Sequence, residues 1–147
     1  ETHFCCMHMA YDALPKKLKI LLQERRAGFT YGGRKGQNAL LNPEDRDRAP
    51  VFHSLIRSHP ETGRKALSFD PGKIVRIEGL EAAKSDDIID ELTERMIVSG
   101  ADYTHTWQVG DIVIWDNRCL VHKAAGNYPP TEDRIHWRLS IKESVAD

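Results

Sequence analysis

No apolar run in the 147 residues approaches the ~18 that a membrane-spanning helix needs, and the N-terminus lacks the basic-then-apolar layout of a signal peptide. The expectation is a chain with neither a spanning helix nor a secretory leader. Cysteine is scarce, with Cys5 and Cys6 adjacent and Cys119 far away, which makes no disulfide framework and suits a reducing compartment. The cytoplasm is the expected location. Charge of one sign is missing too: 21 lysines and arginines face 22 aspartates and glutamates, so there is no electrostatic footprint for nucleic acid or an anionic membrane. Repeats and low-complexity segments are absent, which removes solenoids and linkers from consideration. What remains is a length suited to one domain, or one piece of a larger one, able to bury a core without a disulfide or metal staple. The first residue is Glu1 rather than methionine, so a piece of a longer polypeptide is expected.

Thr2 to Met7 reads as a short strand. Pro15 suits a helical first turn, and Leu14, Leu18, Leu21 and Leu22 recur at helical spacing until Gly28, which predicts a helix from about Pro15 to Ala27. Tyr31 to Pro50 has no period and reads as a long loop or lid. Val51 to Ser58, the turn His59 to Gly63 and Lys65 to Phe69 read as a hairpin. Ser85 looks like an N-cap, with Asp86 and Asp87 favouring the positive end of a helix whose apolar face is Ile88, Ile89, Leu92 and Met96, ending before Gly100. Three strands are expected in the last third, at Tyr103 to Gln108, Asp111 to Trp115 and Arg134 to Lys142.

The last of these alternates cleanly. Arg134, His136, Arg138 and Ser140 share one face, and Ile135, Trp137, Leu139 and Ile141 share the other. On an arbitrary strand such a polar face simply meets water. In a barrel with a polar interior, both guanidiniums instead point inward and need carboxylate or sulfonate partners.

The upstream segment GDIVIWDNRCLVH, ending on His122 and followed by Arg134 and Arg138, decides between the two. It resembles the C-terminal signature of the taurine dioxygenase and 2,4-dichlorophenoxyacetate dioxygenase family, in which WDNR precedes the distal iron histidine and two arginines four apart come after it. ETHFCCMHMAYDALP and HSLIRSHPETGRKAL resemble two further blocks of that family in the same order, so the resemblance spans nearly the whole chain. It implies a mainly β fold with flanking helices, a double-stranded β-helix or jelly roll, here without its N-terminal strands. It implies an iron(II)- and 2-oxoglutarate-dependent oxidoreductase that hydroxylates a small anionic substrate with O2, releasing succinate and CO2. Residue by residue, His122 would be the distal Fe(II) ligand, where neutral imidazole suits ferrous iron. Arg134 would clamp the distal carboxylate of 2-oxoglutarate, and Thr2 would add a hydroxyl hydrogen bond to it. Arg138 would anchor the anionic group of a sulfonate, sulfate ester or carboxylate substrate. Trp115 would form part of the apolar wall near the iron. His136, between the arginines, either tunes substrate choice or fills space.

The family's proximal ligands form an H-x-D motif upstream of the block in which this chain starts. The resemblance therefore implies that two of three protein ligands are absent and that the chain as given does not turn over. One H-x-E occurs, His59-Pro60-Glu61, and reads as a decoy within the HPETG turn. His3, Cys5, Cys6 and His8 resemble soft metal ligands, but there is no second spaced pair, and alternation sends the two cysteines to opposite faces. Two alternatives stay open: an iron-free anion-binding or scaffold protein, and a zinc module built on that cluster. Assembly into a homo-oligomer is open as well.

Overall fold

The computed structural model describes residues 1–34, 42–46, 48–98, 102–126, 129, 131 and 135–141. Its opening element is the expected strand, β1 (Thr2–Cys6), which runs directly into a short helix, α1 (Met7–Asp12), distinct from the leucine-rich helix beyond it. Pro15 then stands at the N-cap of α2 (Lys16–Leu22), where its missing N–H costs nothing. The predicted helix is cut short at Leu22. Arg26–Phe29 is instead a strand, β2, paired on both sides, and Ala27 within it is fully buried. Two ladders of backbone bonds outweigh the local helical preference of this stretch. Gly28, expected to stop the helix, lies inside β2, where a side chain would press within 3.0 Å of Pro50 and 3.1 Å of the Phe52 ring.

The expected loop from Tyr31 to Pro50 contains one short turn of helix, α3 (Pro43–Arg46); residues 35–41 and 47 lie outside the described residues. The predicted strand from Val51 to Ser58 is two strands, β3 (Val51–Ser54) and β4 (Ile56–Ser58). They separate at Leu55, whose N–H bonds the Arg25 carbonyl and whose carbonyl accepts from the Ser68 N–H while its side chain is fully buried. β4 pairs with β5 (Lys65–Leu67), so the hairpin across His59 to Gly63 is as expected. β3 turns away to pair with β2, and β2 pairs in turn with β6 (Ile74–Ile77).

The long helix, α4, spans Ala82–Val98, a turn longer at its start than expected. Ser85 is therefore not its cap. Its hydroxyl, buried, accepts the Ile77 N–H at 2.8 Å and ties α4 to β6. The predicted apolar face is right: Ile88, Ile89 and Leu92 are buried and Met96 packs at the edge. Asp86 and Asp90, on the other side, hold Arg34. The core gathers Leu22, Leu55, Leu67, Ile74, Ile77, Ile89 and Leu92, each worth about 1.5–3 kcal/mol on burial. Among the described residues no helix is long and apolar enough to cross a membrane.

The last third departs most from expectation. Two strands there, β7 (Asp102–His105) and β8 (Leu120–Ala124), flank β1 in an antiparallel sheet of order β7-β1-β8. β8 lies between the strands expected at Asp111 to Trp115 and Arg134 to Lys142, where no strand is expected. The expected strands at Asp111 to Trp115 and, within its described part 135–141, at Arg134 to Lys142 are not strands. Alternation is present in both, but a strand also needs a neighbour to pair with. Neither stretch is paired to a described strand, and Ile114, Trp137 and Ile141 are 90%, 98% and 100% exposed.

Candidate active site

Antiparallel register decides which side chains share a face of the β7-β1-β8 sheet. Thr2 stands opposite His105 and Ala124, Phe4 opposite Tyr103 and His122, and Cys6 opposite Leu120. These residues form one face, while His3, Cys5, Thr104 and Val121 form the other. Cys5 and Cys6 are thus divided as alternation requires. Burial raises the Cys5 thiol to about 11, and its Sγ lies 3.9 Å from the Met96 carbonyl. His3 bonds the Thr104 hydroxyl, and His8 Nδ1 donates to the Lys65 carbonyl. The N-terminal histidines and cysteines do not converge as ligands.

On the first face, two aromatic rings flank His122, which stays exposed on its remaining side. Its ring lies 4.9 Å from Trp115, edge to face, and 5.8 Å from Phe4, and Phe4 and Trp115 are 5.4 Å apart. Phe4 is a wall residue that sequence reasoning missed; the period of two in β1, counted from Thr2, was the signal. Next to this trio is an apolar cleft of about 210 Å³ lined by Phe4, Tyr103, Ile114, Trp115 and Leu120. Desolvation by these neighbours, then the positive charge of Arg138, pushes His122 below its usual pKa. The neutral imidazole that a metal requires is thereby favoured. Arg138 itself is exposed.

Thr2 is 7% exposed, and its Oγ1 accepts the indole N–H of Trp107 at 2.9 Å. The Trp107 ring sits edge to face between His105 at 4.7 Å and His136 at 4.8 Å, which draws the segment carrying His136 and Arg138 to the Thr2 end of the sheet. His105 is itself fixed: Nε2 faces the Asp111 carboxylate at 3.1 Å, so Nδ1 accepts from the Tyr103 hydroxyl at 3.2 Å. Of the expected site residues, Thr2, Trp115, His122, His136 and Arg138 are thus brought to one region. Arg134 lies outside the described residues.

A second polar cluster precedes β8. Asp116 accepts from Arg118 Nε at 3.0 Å and Nη2 at 2.7 Å, and from His59 Nε2 at 3.0 Å; Arg118 Nη1 reaches Glu61 at 3.2 Å. Arg118, then His59, holds the Asp116 carboxyl well below the usual carboxylate range. His59, Asp116 and Cys119 place ligand atoms within 4.8 Å of one another. In this cluster the Arg118 guanidinium already covers the Asp116 carboxylate, which makes it an ion-pair junction, and burial pushes the Cys119 thiol up. Both side chains of the H-x-E motif are engaged in this cluster. Among the described residues no grouping of three metal-binding side chains includes His122; from this sheet face it offers one imidazole.

The sequence model of the family described as "Taurine catabolism dioxygenase TauD, TfdA family" matches residues 1–140. The alpha-ketoglutarate-dependent 2,4-dichlorophenoxyacetate dioxygenase of Cupriavidus pinatubonensis is 36% identical over 84% of this chain and 44% of its own length. The (S)-phenoxypropionate/alpha-ketoglutarate-dioxygenase of Sphingobium herbicidovorans is 34% identical over 96% of this chain and 52% of its own. Among solved structures, AAD-2 in complex with Mn(II) and N-oxalylglycine superposes with a TM-score of 0.72 at 27% identity, covering 82% of this chain and 44% of that one. The chain spans about half the length of the relatives it matches. Its sheets and outer helices belong to a jelly roll, and the relatives are dioxygenases that use 2-oxoglutarate, the alpha-ketoglutarate of their names. This chain is a member of the TauD, TfdA family of dioxygenases.

Proposed function

We propose that the protein is an Fe(II)- and 2-oxoglutarate-dependent dioxygenase that hydroxylates a small anionic organic substrate, a sulfonate, sulfate ester or carboxylate, and releases succinate and CO2. The observation that carries this reading is the placement of Thr2 and of His122, with the Trp115 ring against it, on one face of the β7-β1-β8 sheet. Iron with 2-oxoglutarate and O2 supplies the oxidising chemistry; the chain's part is placement. His122 gives one imidazole ligand. Arg134 receives the distal carboxylate of 2-oxoglutarate in a two-pronged pair, and the Thr2 hydroxyl adds a hydrogen bond. Arg138 holds the substrate's anionic end, with its apolar body against Trp115 and Phe4, whose rings exclude water. His136, on Trp107, borders that space. Three free thiols suit a reducing compartment, and the proposed location is the cytoplasm.

A second reading has one observation in its favour: His122 belongs to no three-ligand grouping among the described residues. In that reading the chain is a catalytically incomplete anion-binding or scaffold protein. One experiment separates the two. The whole protein, kept anaerobic with iron(II) and 2-oxoglutarate, should develop a charge-transfer absorption that needs both additions. Absence of that band from well-folded protein overturns the enzyme reading and leaves the second.

A further inference from the structure

We infer that Trp107 is a positioning residue for the co-substrate, its indole N–H holding the Thr2 hydroxyl so that the hydroxyl's own hydrogen is directed toward bound 2-oxoglutarate. This rests on the proposed function, which gives Thr2 a bond to the co-substrate but no reason for its orientation.

A threonine hydroxyl has one hydrogen to give and two lone pairs to receive with, and it rotates to suit its neighbours. A carboxylate can only accept, so Thr2 serves a 2-oxo acid only by donating. An indole N–H can only donate. With Trp107 Nε1 at 2.9 Å from Thr2 Oγ1, the hydroxyl must receive on that side, and its hydrogen turns away from the indole. Receiving one hydrogen bond also strengthens the one given, because bonds in a chain polarise one another where water is excluded. Thr2 is buried, so that condition is met. Without the indole, a threonine on a strand can turn its hydrogen to a nearby backbone carbonyl instead.

The placement agrees with the role. Thr2 and Phe4 lie on the same face of β1, and Phe4 stands opposite His122, so the Thr2 hydroxyl is about 7 Å along the strand from the His122 row. That is a distance a five-carbon diacid can bridge. Trp107 cannot swing away easily, since His105 and His136 hold its ring edge to face on two sides and Asp111 and Tyr103 fix His105.

The test titrates 2-oxoglutarate into the anaerobic, iron-loaded whole protein by the charge-transfer band, with iron affinity measured separately. Trp107→Phe keeps an aromatic ring between the two histidines and removes the N–H. It is expected to weaken 2-oxoglutarate binding roughly threefold to tenfold at unchanged iron affinity. Thr2→Val should weaken it at least as much, the double variant no further than Thr2→Val alone, and Thr2→Ser should bind almost as the unaltered protein does. If Thr2→Val weakens binding while Trp107→Phe does not, or if the two losses multiply in the double variant, the inference is overturned and the proposed function stands. Parallel loss of iron affinity in Trp107→Phe would mark a packing defect and overturns it too. If Thr2→Val has no effect, Thr2 is not a co-substrate ligand, and that part of the proposed function fails together with the inference.

Discussion

His59 Nε2 and Asp116 Oδ2 lie 3.0 Å apart, joining the β4–β5 turn to the turn that launches β8. The strand bearing His122 is thereby anchored at its start to a hairpin 57 residues earlier in the chain. Arg118 reinforces the junction by bonding both Asp116 and Glu61.

The junction should give way in acid. Asp116 is held below the ordinary carboxylate range, first by Arg118 and then by His59. A carboxyl with a depressed folded pKa contributes stability that is fully present above its unfolded pKa, about 3.9, and is lost as pH falls toward the folded value. Urea unfolding should therefore show no contribution from this group to pH dependence above about pH 5 and a decline below about pH 4. Asp116→Asn should flatten that decline. An identical acid branch in the variant would show that other groups set it.

Leu55→Ala should cost about 2–5 kcal/mol in chemical denaturation, the usual range for a buried leucine whose site cannot collapse. Leu55 is fully buried, and its backbone is bonded at both N–H and carbonyl, so the chain cannot move in to fill the space. A loss under about 1 kcal/mol would mean that the junction of β3 and β4 repacks.

Arg134→Ala should weaken 2-oxoglutarate binding by about 2–3 kcal/mol if the pair is desolvated, measured by the same charge-transfer titration. Arg138→Ala should leave that affinity in place and lower the yield of hydroxylated substrate per succinate formed. Equal loss of co-substrate affinity in both variants would mean that the two roles are wrongly divided.

A polypeptide of these 147 residues produced alone should bind an apolar fluorescent dye and self-associate as concentration rises. Ile112, Ile114, Trp137, Leu139 and Ile141 are all at least 87% exposed, far more apolar surface than a monomer usually shows in two short segments. Sedimentation as a monomer without dye binding would show that these side chains find partners within the chain.

Local pattern is a sound guide where one element makes its own case. The face of α4, the hairpin at His59 to Gly63 and the division of Cys5 from Cys6 follow from spacing alone, and each is found. It misleads where distant partners decide. Arg26–Phe29 is a strand because β3 and β6 lie beside it, and Ser85 serves Ile77 rather than its own helix. At 111–115 and 135–141 the alternation is a true pattern, but pairing depends on a neighbouring strand that no single segment encodes. For the site, the WDNR signature leads to His122 and Trp115. Phe4 follows only from the period of two in β1, and Trp107 is not legible at all, because its role exists only once β1 has docked between two strands from the far end of the chain.

That docking sets the order of events when the protein is made. β1 is the middle strand of its sheet and leaves the ribosome well before its partners, residues 102–105 and 120–124. The Thr2–Trp107 bond closes a loop of 105 residues, the kind of long-range contact that slows folding. Until Ala124 has emerged, β1 waits with at least one edge bare, exposed to pairing with the wrong strand. The face that carries His122 is thus completed late, after the hairpin and α4 have been made, and yield of folded protein should depend on how well that wait is protected.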